Sequence, residues 1–231
     1  MTLEEFKSEL QKENIILNDK QIEQFNTYAS YLKEYNEKIN LTAITEYEDV
    51  LDKHFYDSLL CVDRKLEGIL VDVGSGAGFP GVVLKIIFPE LKVILLEPIN
   101  KRCVFLNSLI EKLQLKNIEV INQRAEDYSL NHREEYDYVT ARAVSNLNAL
   151  IEVCGAMVKV EGFFIALRGK DGLSEIEGAA SAIKTMGFIV DKTYEKSLFD
   201  GSSRVVSYLK KIAKTEKKYP RKYSIIKART L

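Results

Sequence analysis

The chain has 231 residues, 46% of them hydrophobic, four prolines and no tryptophan, with a formal net charge of −1. That length and apolar share suit one domain of ordinary size with a sizeable buried core. No apolar run reaches the roughly 18 residues of a membrane span, and the acidic, amphipathic opening MTLEEFKSELQKEN lacks an apolar secretory segment, so the expectation is a cytoplasmic protein with no membrane partner.

The first 60 residues read as helices. Leu3, Phe6 and Leu10 share one face, and Ile22, Phe25, Ala29 and Leu32 repeat at helical spacing behind an Asn18–Gln21 cap. Thr45 and Glu48 predict a capping box for a third helix running through Leu60. From Gly68 the pattern changes to short β-branched runs at 69–73, 93–97, 118–121, 136–141 and 163–167, separated by amphipathic helical stretches near 80–88, 100–114, 146–159 and 172–186. Two further strands, FIVDKTYEK and RVVSYLK, follow. Such alternation predicts an α/β fold, a parallel sheet covered on both faces. The division expected is a helical extension over 1–62, a core over 63–211 and a tail over 212–231, all within one structural domain.

Charge singles out the tail. Lys210 to Leu231 hold nine basic residues against Glu216 alone, a net of +8 that leaves −9 for the rest. A polyanionic partner or a solvated terminus would each account for this asymmetry. Cys61, Cys103 and Cys154 lie far apart without metal-type spacing, as for reduced core thiols, and no metal site is expected.

The segment VDVGSGAGFPG, residues 71–81, places four glycines among eight residues between an expected strand and an expected helix. Something must approach the main chain closely there. A phosphate-binding P-loop needs Lys-Ser or Lys-Thr after its last glycine, and Gly81 is followed by two valines. Gly76, Gly78 and Gly81 do match the dinucleotide pattern G-x-G-x-x-G. However, the glycine run begins earlier, at Gly74, and Asp72 sets a carboxylate at the mouth of the strand, where it would repel a pyrophosphate. It would attract the ammonium and sulfonium of S-adenosylmethionine (SAM). Glu97, ending the next strand, is placed to accept two ribose hydroxyls from either cofactor. The polar stretch NQRAEDY, residues 122–128, reads as a turn that brings the Ala125 and Glu126 main chain to an adenine edge.

Several segments together resemble one family. NLTAIT (40–45), KHFYDSL (53–59), DVGSGAGFPG (72–81), KRCVFL (101–106), RAED (124–127), VTARAV (139–144) and KYPRK (218–222) occur in the order seen in the RsmG, or GidB, family. The resemblance implies a class I SAM-dependent methyltransferase: a Rossmann-like, mostly parallel seven-stranded sheet with helices on both faces and an N-terminal helical extension. It implies methylation of N7 of guanine 527 in the 530 loop of bacterial 16S ribosomal RNA, with the small ribosomal subunit as partner. Carried over by position, it implies cofactor contacts from Gly74, Phe79, Ala125, Glu126 and Arg142. To these the residue chemistry adds Asp72, Gly76, Gly78 and Glu97. Two departures from the family pattern stand out: Arg168-Gly169-Lys170 replaces a KGK segment, and YSIIKARTL replaces a tail rich in Pro, Gly and Thr.

Guanine N7 carries a lone pair and no proton, so its methylation needs no general base. This suits a chain with TARAV after the fourth strand and no Asn/Asp-Pro-Pro-aromatic motif. No catalytic acid or base is assigned, and Arg142 is the candidate orienting residue. His54 and Asp57, a turn apart, are read either as pocket residues or as a local helix pair. Arg168, Lys170, Lys217, Lys218, Arg221 and Lys222 are the expected RNA contacts, with Tyr208, Tyr219 and Tyr223 as candidate stacking residues. The rival readings are a small-molecule methyltransferase on the same fold, a nicotinamide oxidoreductase and a non-catalytic RNA-binding protein. A monomer is expected.

Overall fold

Successive side chains of a strand point to opposite faces, and this chain uses the alternation to separate two cores. The computed structural model describes residues 1–142 and 146–231; Ala143 and Val144 of the TARAV segment lie outside the described residues. Two helices open the fold, α1 (Leu3–Lys12) and α2 (Asp19–Asn36), followed by α3 (Tyr47–Val50), a π-helical stretch at Leu51–Tyr56 and α4 (Asp57–Leu59). The core then runs β1 (Ile69–Val73), α5 (Gly81–Ile87), β2 (Lys92–Leu96), α6 (Asn100–Lys112), β3 (Ile118–Ile121), α7 (Ala125–Asn131), β4 (Tyr136–Arg142), α8 (Leu147–Gly155) and β5 (Val158–Arg168). It ends with α9 (Gly172–Gly178), α10 (Ala180–Thr185), β6 (Phe188–Ser197), β7 (Ser203–Lys211) and α11 (Tyr223–Ala228).

The seven strands form one sheet in the order β3-β2-β1-β4-β5-β7-β6. The first five pair in parallel, and β7 enters antiparallel between β5 and β6. Leu70, Leu95 and Ile165 face the core shared with the N-terminal helices, while Val71, Ile94 and Phe164 face the core beneath α8 and α10. The chain order reverses at β1, which lies between β2 and β4, and ligands bind at such switch points outside the strands' carboxyl ends.

The N-terminal helices are joined to the core by directed polar contacts as well as by apolar packing. The expected Asn18–Gln21 capping box is present on α2. Along the same helix, Gln21 Nε2 donates to Ile86 O at 2.8 Å, Gln24 Nε2 to Leu113 O at 2.8 Å and Tyr28 Oη to Ala77 O at 2.5 Å. Tyr31 Oη donates to Ser108 Oγ at 2.8 Å. Spacings of three and four residues put these four side chains on one stripe, beside Phe25, Ala29 and Leu32, which are buried.

Four local expectations change. Thr45 and Glu48 form no capping box: Glu46 caps α3 without a side-chain hydrogen bond. The helix widens to π geometry at Leu51, which re-aims the side chains after it. The 122–128 stretch is mostly helix rather than turn, with α7 starting at Ala125. Tyr208 is fully buried in the first core, its hydroxyl donating to Cys61 O, so it is a packing residue and not a base-stacking one.

Tyr28→Phe should orphan the buried Ala77 carbonyl and cost about 1–3 kcal/mol. Urea unfolding of the purified chain measures it, and an unchanged midpoint would show that α2 does not brace the glycine turn.

Candidate active site

Beyond β1 the backbone takes conformations that side chains resist. Gly74, Gly76 and Gly78 have φ of +71°, +58° and +98°, the left-handed range that favours glycine. A fourth glycine is needed for space: a Cβ on Gly81 would lie 2.5 Å from Leu95 Cδ2 and 2.8 Å from Asp72 Oδ2. Asp72 is fully buried, and its Oδ2 accepts the Gly81 N–H at 2.9 Å. Its Oδ1 has no hydrogen-bond partner among the described residues. Glu97 ties the turn to the end of β2, accepting Gly76 N–H on Oε2 and Ile99 N–H on Oε1, both at 2.9 Å. A Cβ at Gly76 would meet nothing nearer than Gly74 O at 3.8 Å, so this stretch of main chain borders open space.

A cavity of about 140 Å³ lies beside the turn. Val73, Gly74, Leu96 and Pro98 wall it from the strand ends, Arg124, Ala125 and Glu126 from the start of α7, and Ala149, Leu150 and Val153 from α8, with Tyr223 completing the lining. Apolar walls with one carboxylate at the rim suit a flat heterocycle with polar edges. The residues fit SAM: bare glycine backbone for the amino-acid portion, lone pairs still available on Glu97 for ribose hydroxyls, and the apolar cavity for adenine. Gly74, Ala125 and Glu126 line this cavity, whereas Asp72, Gly76, Gly78, Phe79, Glu97 and Arg142 do not. Asp72 therefore shapes the turn from beneath and lines neither this cavity nor the next.

Phe79 leads from the turn to a second cavity. Its ring stacks on Tyr28 at 5.4 Å and on His54 at 4.4 Å, with the Arg142 guanidinium 5.0 Å above its centre. The second cavity, about 480 Å³, is lined by Lys53, His54, Asp57, Arg142, Leu167, Arg168, Gly169 and Arg204. Arg142 Nη1 donates to Asp57 Oδ2 at 2.8 Å, and Arg204 Nε donates to Asp57 Oδ1 at 2.8 Å. Arg168 Nε donates to Glu175 at 2.6 Å. His54 Nε2 bonds Thr42 Oγ1 at 2.8 Å, and Arg142 Nη2 lies 3.4 Å from His54 Nδ1. Burial, reinforced by the Arg142 charge, pushes His54 down to about 4, so the ring is neutral at pH 7.

The tail is docked against the body. Arg133 donates to Tyr219 O at 2.6 Å and Thr215 O at 3.0 Å, and Glu134 accepts Thr215 N–H at 3.1 Å. Lys211 is fully buried, its ammonium donating to Gly155 O, Met186 O and the Thr215 hydroxyl. Arg221, expected on RNA, is committed to the fully buried Glu152, donating from Nε at 2.8 Å and Nη2 at 2.6 Å. Lys170, Lys217, Lys218 and Lys222 are exposed. The clamp on Thr215 and Tyr219 comes from residues preceding β4, while Arg142 ends that strand, so Lys217 and Lys218 stand toward the opposite end of β4 from Arg142.

The residue-level reading of the sequence missed Lys53, Thr42 and Arg204, and it read Tyr223 as a base-stacking candidate rather than as part of the cavity beside the glycine turn. Thr42 and Lys53 fall inside the NLTAIT and KHFYDSL segments that carried the family resemblance. Arg204 carried no signal, because it acquires its neighbours only when distant segments meet.

Sheet order, glycine turn and the acid after β2 together define a class I SAM-dependent methyltransferase. Two solved structures share the fold: M. jannaschii TYW2 in complex with AdoMet (TM-score 0.56, 16% identity, 68% of this chain and 75% of that one), and geranyl diphosphate C-methyltransferase from Streptomyces coelicolor (TM-score 0.51, 13% identity, 68% and 79%). The family model for GidB, rRNA small subunit methyltransferase G, matches residues 21–205. Proteins named ribosomal RNA small subunit methyltransferase G from Bacillus licheniformis and Staphylococcus carnosus are each 45% identical, over 96% of this chain and 95% of theirs. The chain belongs to the rRNA small subunit methyltransferase G family.

Two buried groups give opposed pH dependences. Burial raises Asp72 from 3.8 to about 7, against the pull of the Gly81 N–H and the Arg142 charge. Between those values the folded chain holds the extra proton, so this group's contribution to stability falls as pH rises, by about 4 kcal/mol in all. For His54, between about 4 and 6.5, the unfolded chain holds the extra proton, and stability rises with pH by about 3 kcal/mol. The two nearly cancel. Relative to the parent chain, His54→Phe should lose stability between about pH 4 and about pH 6.5, and Asp72→Asn should gain it, as read by urea unfolding across that range. Parallel curves for all three proteins would show that neither group carries a shifted proton equilibrium.

Proposed function

We propose that this chain transfers the methyl group of SAM to N7 of guanine 527 in the 530 loop of 16S ribosomal RNA, acting as a cytoplasmic monomer on the small ribosomal subunit. The observation that carries the N7 assignment is the absence of a poised base among the described residues lining the second cavity. Asp57, the one carboxylate there, is held by Arg142 on one oxygen and Arg204 on the other. His54, the one imidazole, is pushed down to about 4 by burial and the Arg142 charge, which leaves it too weak a base to deprotonate a substrate, and it is hydrogen-bonded and stacked on Phe79. An exocyclic amine would have to lose a proton during transfer, whereas N7 has none to lose.

When bound, SAM supplies an electrophilic methyl group on a cationic sulfur. The glycine turn holds its amino-acid portion, Glu97 takes the ribose hydroxyls, and Ala125 and Glu126 border the adenine. Phe79 and Arg142 form the wall between cofactor and nucleobase. The major-groove edge of guanine presents O6 beside N7 as acceptors, and the guanidinium of Arg142, kept in place by Asp57, is the donor we assign to O6. Orientation of this kind contributes on the order of 7–11 kcal/mol without any proton transfer. The major-groove edge is out of reach in an A-form helix, so the base must come from an exposed loop. Lys53, Arg168 and Arg204 supply positive charge around the entrance for its phosphates.

Small ribosomal subunits lacking the modification, incubated with labelled SAM, should gain one 7-methylguanosine at that position, mapped by chain cleavage at the methylated base. Label on an exocyclic amine or a sugar, or no transfer at all, would sink the assignment. By calorimetry the chain should bind SAM and not NAD. Glu97→Ala should weaken SAM by about 1.5–3 kcal/mol, the range for hydrogen bonds to charged groups; unchanged affinity would remove Glu97 from the site.

A further inference from the structure

Charge alone would make the C-terminal segment an arm for RNA. Its contacts point elsewhere. After β7 the chain is clamped by Arg133 and Glu134, passes along α8 and reaches the cavity beside the glycine turn, where Tyr223 is part of the lining. The same helix supplies both wall and anchor: Ala149, Leu150 and Val153 line the cavity, and Glu152 binds Arg221 through backbone N–H, Nε and Nη2. Only Lys222 separates that anchor from Tyr223, and three positions beyond Tyr223, Ile226 is fully buried in the core that contains Leu150 and Val153. Tyr223 is thus held from both sides while staying 40% exposed. An aromatic ring left part-exposed on the edge of an apolar cavity, with its flanking residues locked down, is a binding surface in waiting.

We propose that Tyr223 is a cofactor-contacting residue, its ring closing the adenosine pocket, and that the Arg221–Glu152 pair and Ile226 position it. This rests on the reading of that cavity as the adenosine site. The tail would then serve the methyl donor, and its removal would damage cofactor binding as well as any hold on RNA.

The chain has no tryptophan, so Tyr223→Trp creates a single emission reporter at this position. Its fluorescence should change saturably with SAM, S-adenosylhomocysteine and adenosine, and not with methionine. Calorimetry should find SAM about tenfold weaker for Tyr223→Ala, the scale of base–aromatic stacking, and within about twofold of the parent for Tyr223→Phe, which keeps the ring. Ile226→Val, which thins the anchor without touching the cavity, should weaken SAM in the same direction by a smaller factor. Unliganded unfolding midpoints of the Tyr223 variants should match the parent, because a part-exposed ring outside the core contributes little to stability. If Tyr223→Ala binds SAM like the parent and the tryptophan ignores it, while Glu97→Ala still weakens binding, the role of Tyr223 is overturned and the proposed function stands. If the parent chain itself fails to bind SAM, both fall.

Discussion

Beneath the glycine turn lies a carboxylate with no access to solvent. Asp72 holds the first turn of α5 by the Gly81 N–H, and nothing larger than glycine fits above it. That one hydrogen bond sets how closely the helix follows the strand, and so where Gly74 to Gly78 must curl. From the curl follow the Gly76 bond to Glu97, the main chain bordering open space and the placement of Phe79. Removing the carboxylate from water raises its pKa to about 7, a cost that a buried charge always carries unless a partner offsets it. A cationic ligand near the turn would be such a partner.

The N-terminal helices are built into this arrangement. Tyr28 reaches from α2 to the Ala77 carbonyl in the middle of the turn and stacks its ring on Phe79. The π-helical stretch then delivers His54 to the other contact of Phe79 and brings Asp57, at the start of α4, between two arginines from different strands. The extension and the core therefore share one site. An aromatic stack is shallow and directional, and here it is backed by a guanidinium fixed to a carboxylate. These contacts leave Phe79 and Arg142 little freedom to move, the condition that the proposed positioning mechanism requires.

Electrostatics divide the basic surface into two kinds. Lys211 and Arg221 are structural, one buried on carbonyls and one paired with Glu152. Lys53, Arg142, Arg168 and Arg204 gather around a cavity near the carboxyl ends of β4 and β5, each also paired with a carboxylate, from Asp49, Asp57 or Glu175, that an incoming phosphate would have to compete with. The exposed Lys217 and Lys218 lie toward the other end of β4. Net charge counted along the chain does not register that the fold has already engaged Lys211 and Arg221.

Periodicity and glycine placement determined the sheet. The runs at 69–73 and 118–121 coincide with β1 and β3, and the last two strands were legible from their own alternation. The turn after β1 and the acid after β2 were legible too, because a backbone that must adopt positive φ admits few residues other than glycine, and a strand that must stay apolar makes its terminal carboxylate conspicuous. Ala125 and Glu126 were located correctly beside a cavity although the stretch was read as a turn, since a helix start exposes its main chain much as a turn does. The tertiary structure alone decided what polar residues with distant partners do. Gln21, Gln24, Tyr28 and Tyr31 look like an ordinary helix surface until the core supplies their acceptors, and Tyr208 looks like a surface ring until Cys61 accepts its hydroxyl. Tyr223 reaches the cavity only because Arg221 finds Glu152 across 69 positions of chain. Local pattern records which face a residue prefers; a hydrogen bond or ion pair closed across the fold depends on where two separate segments come to rest, and no window of sequence contains both.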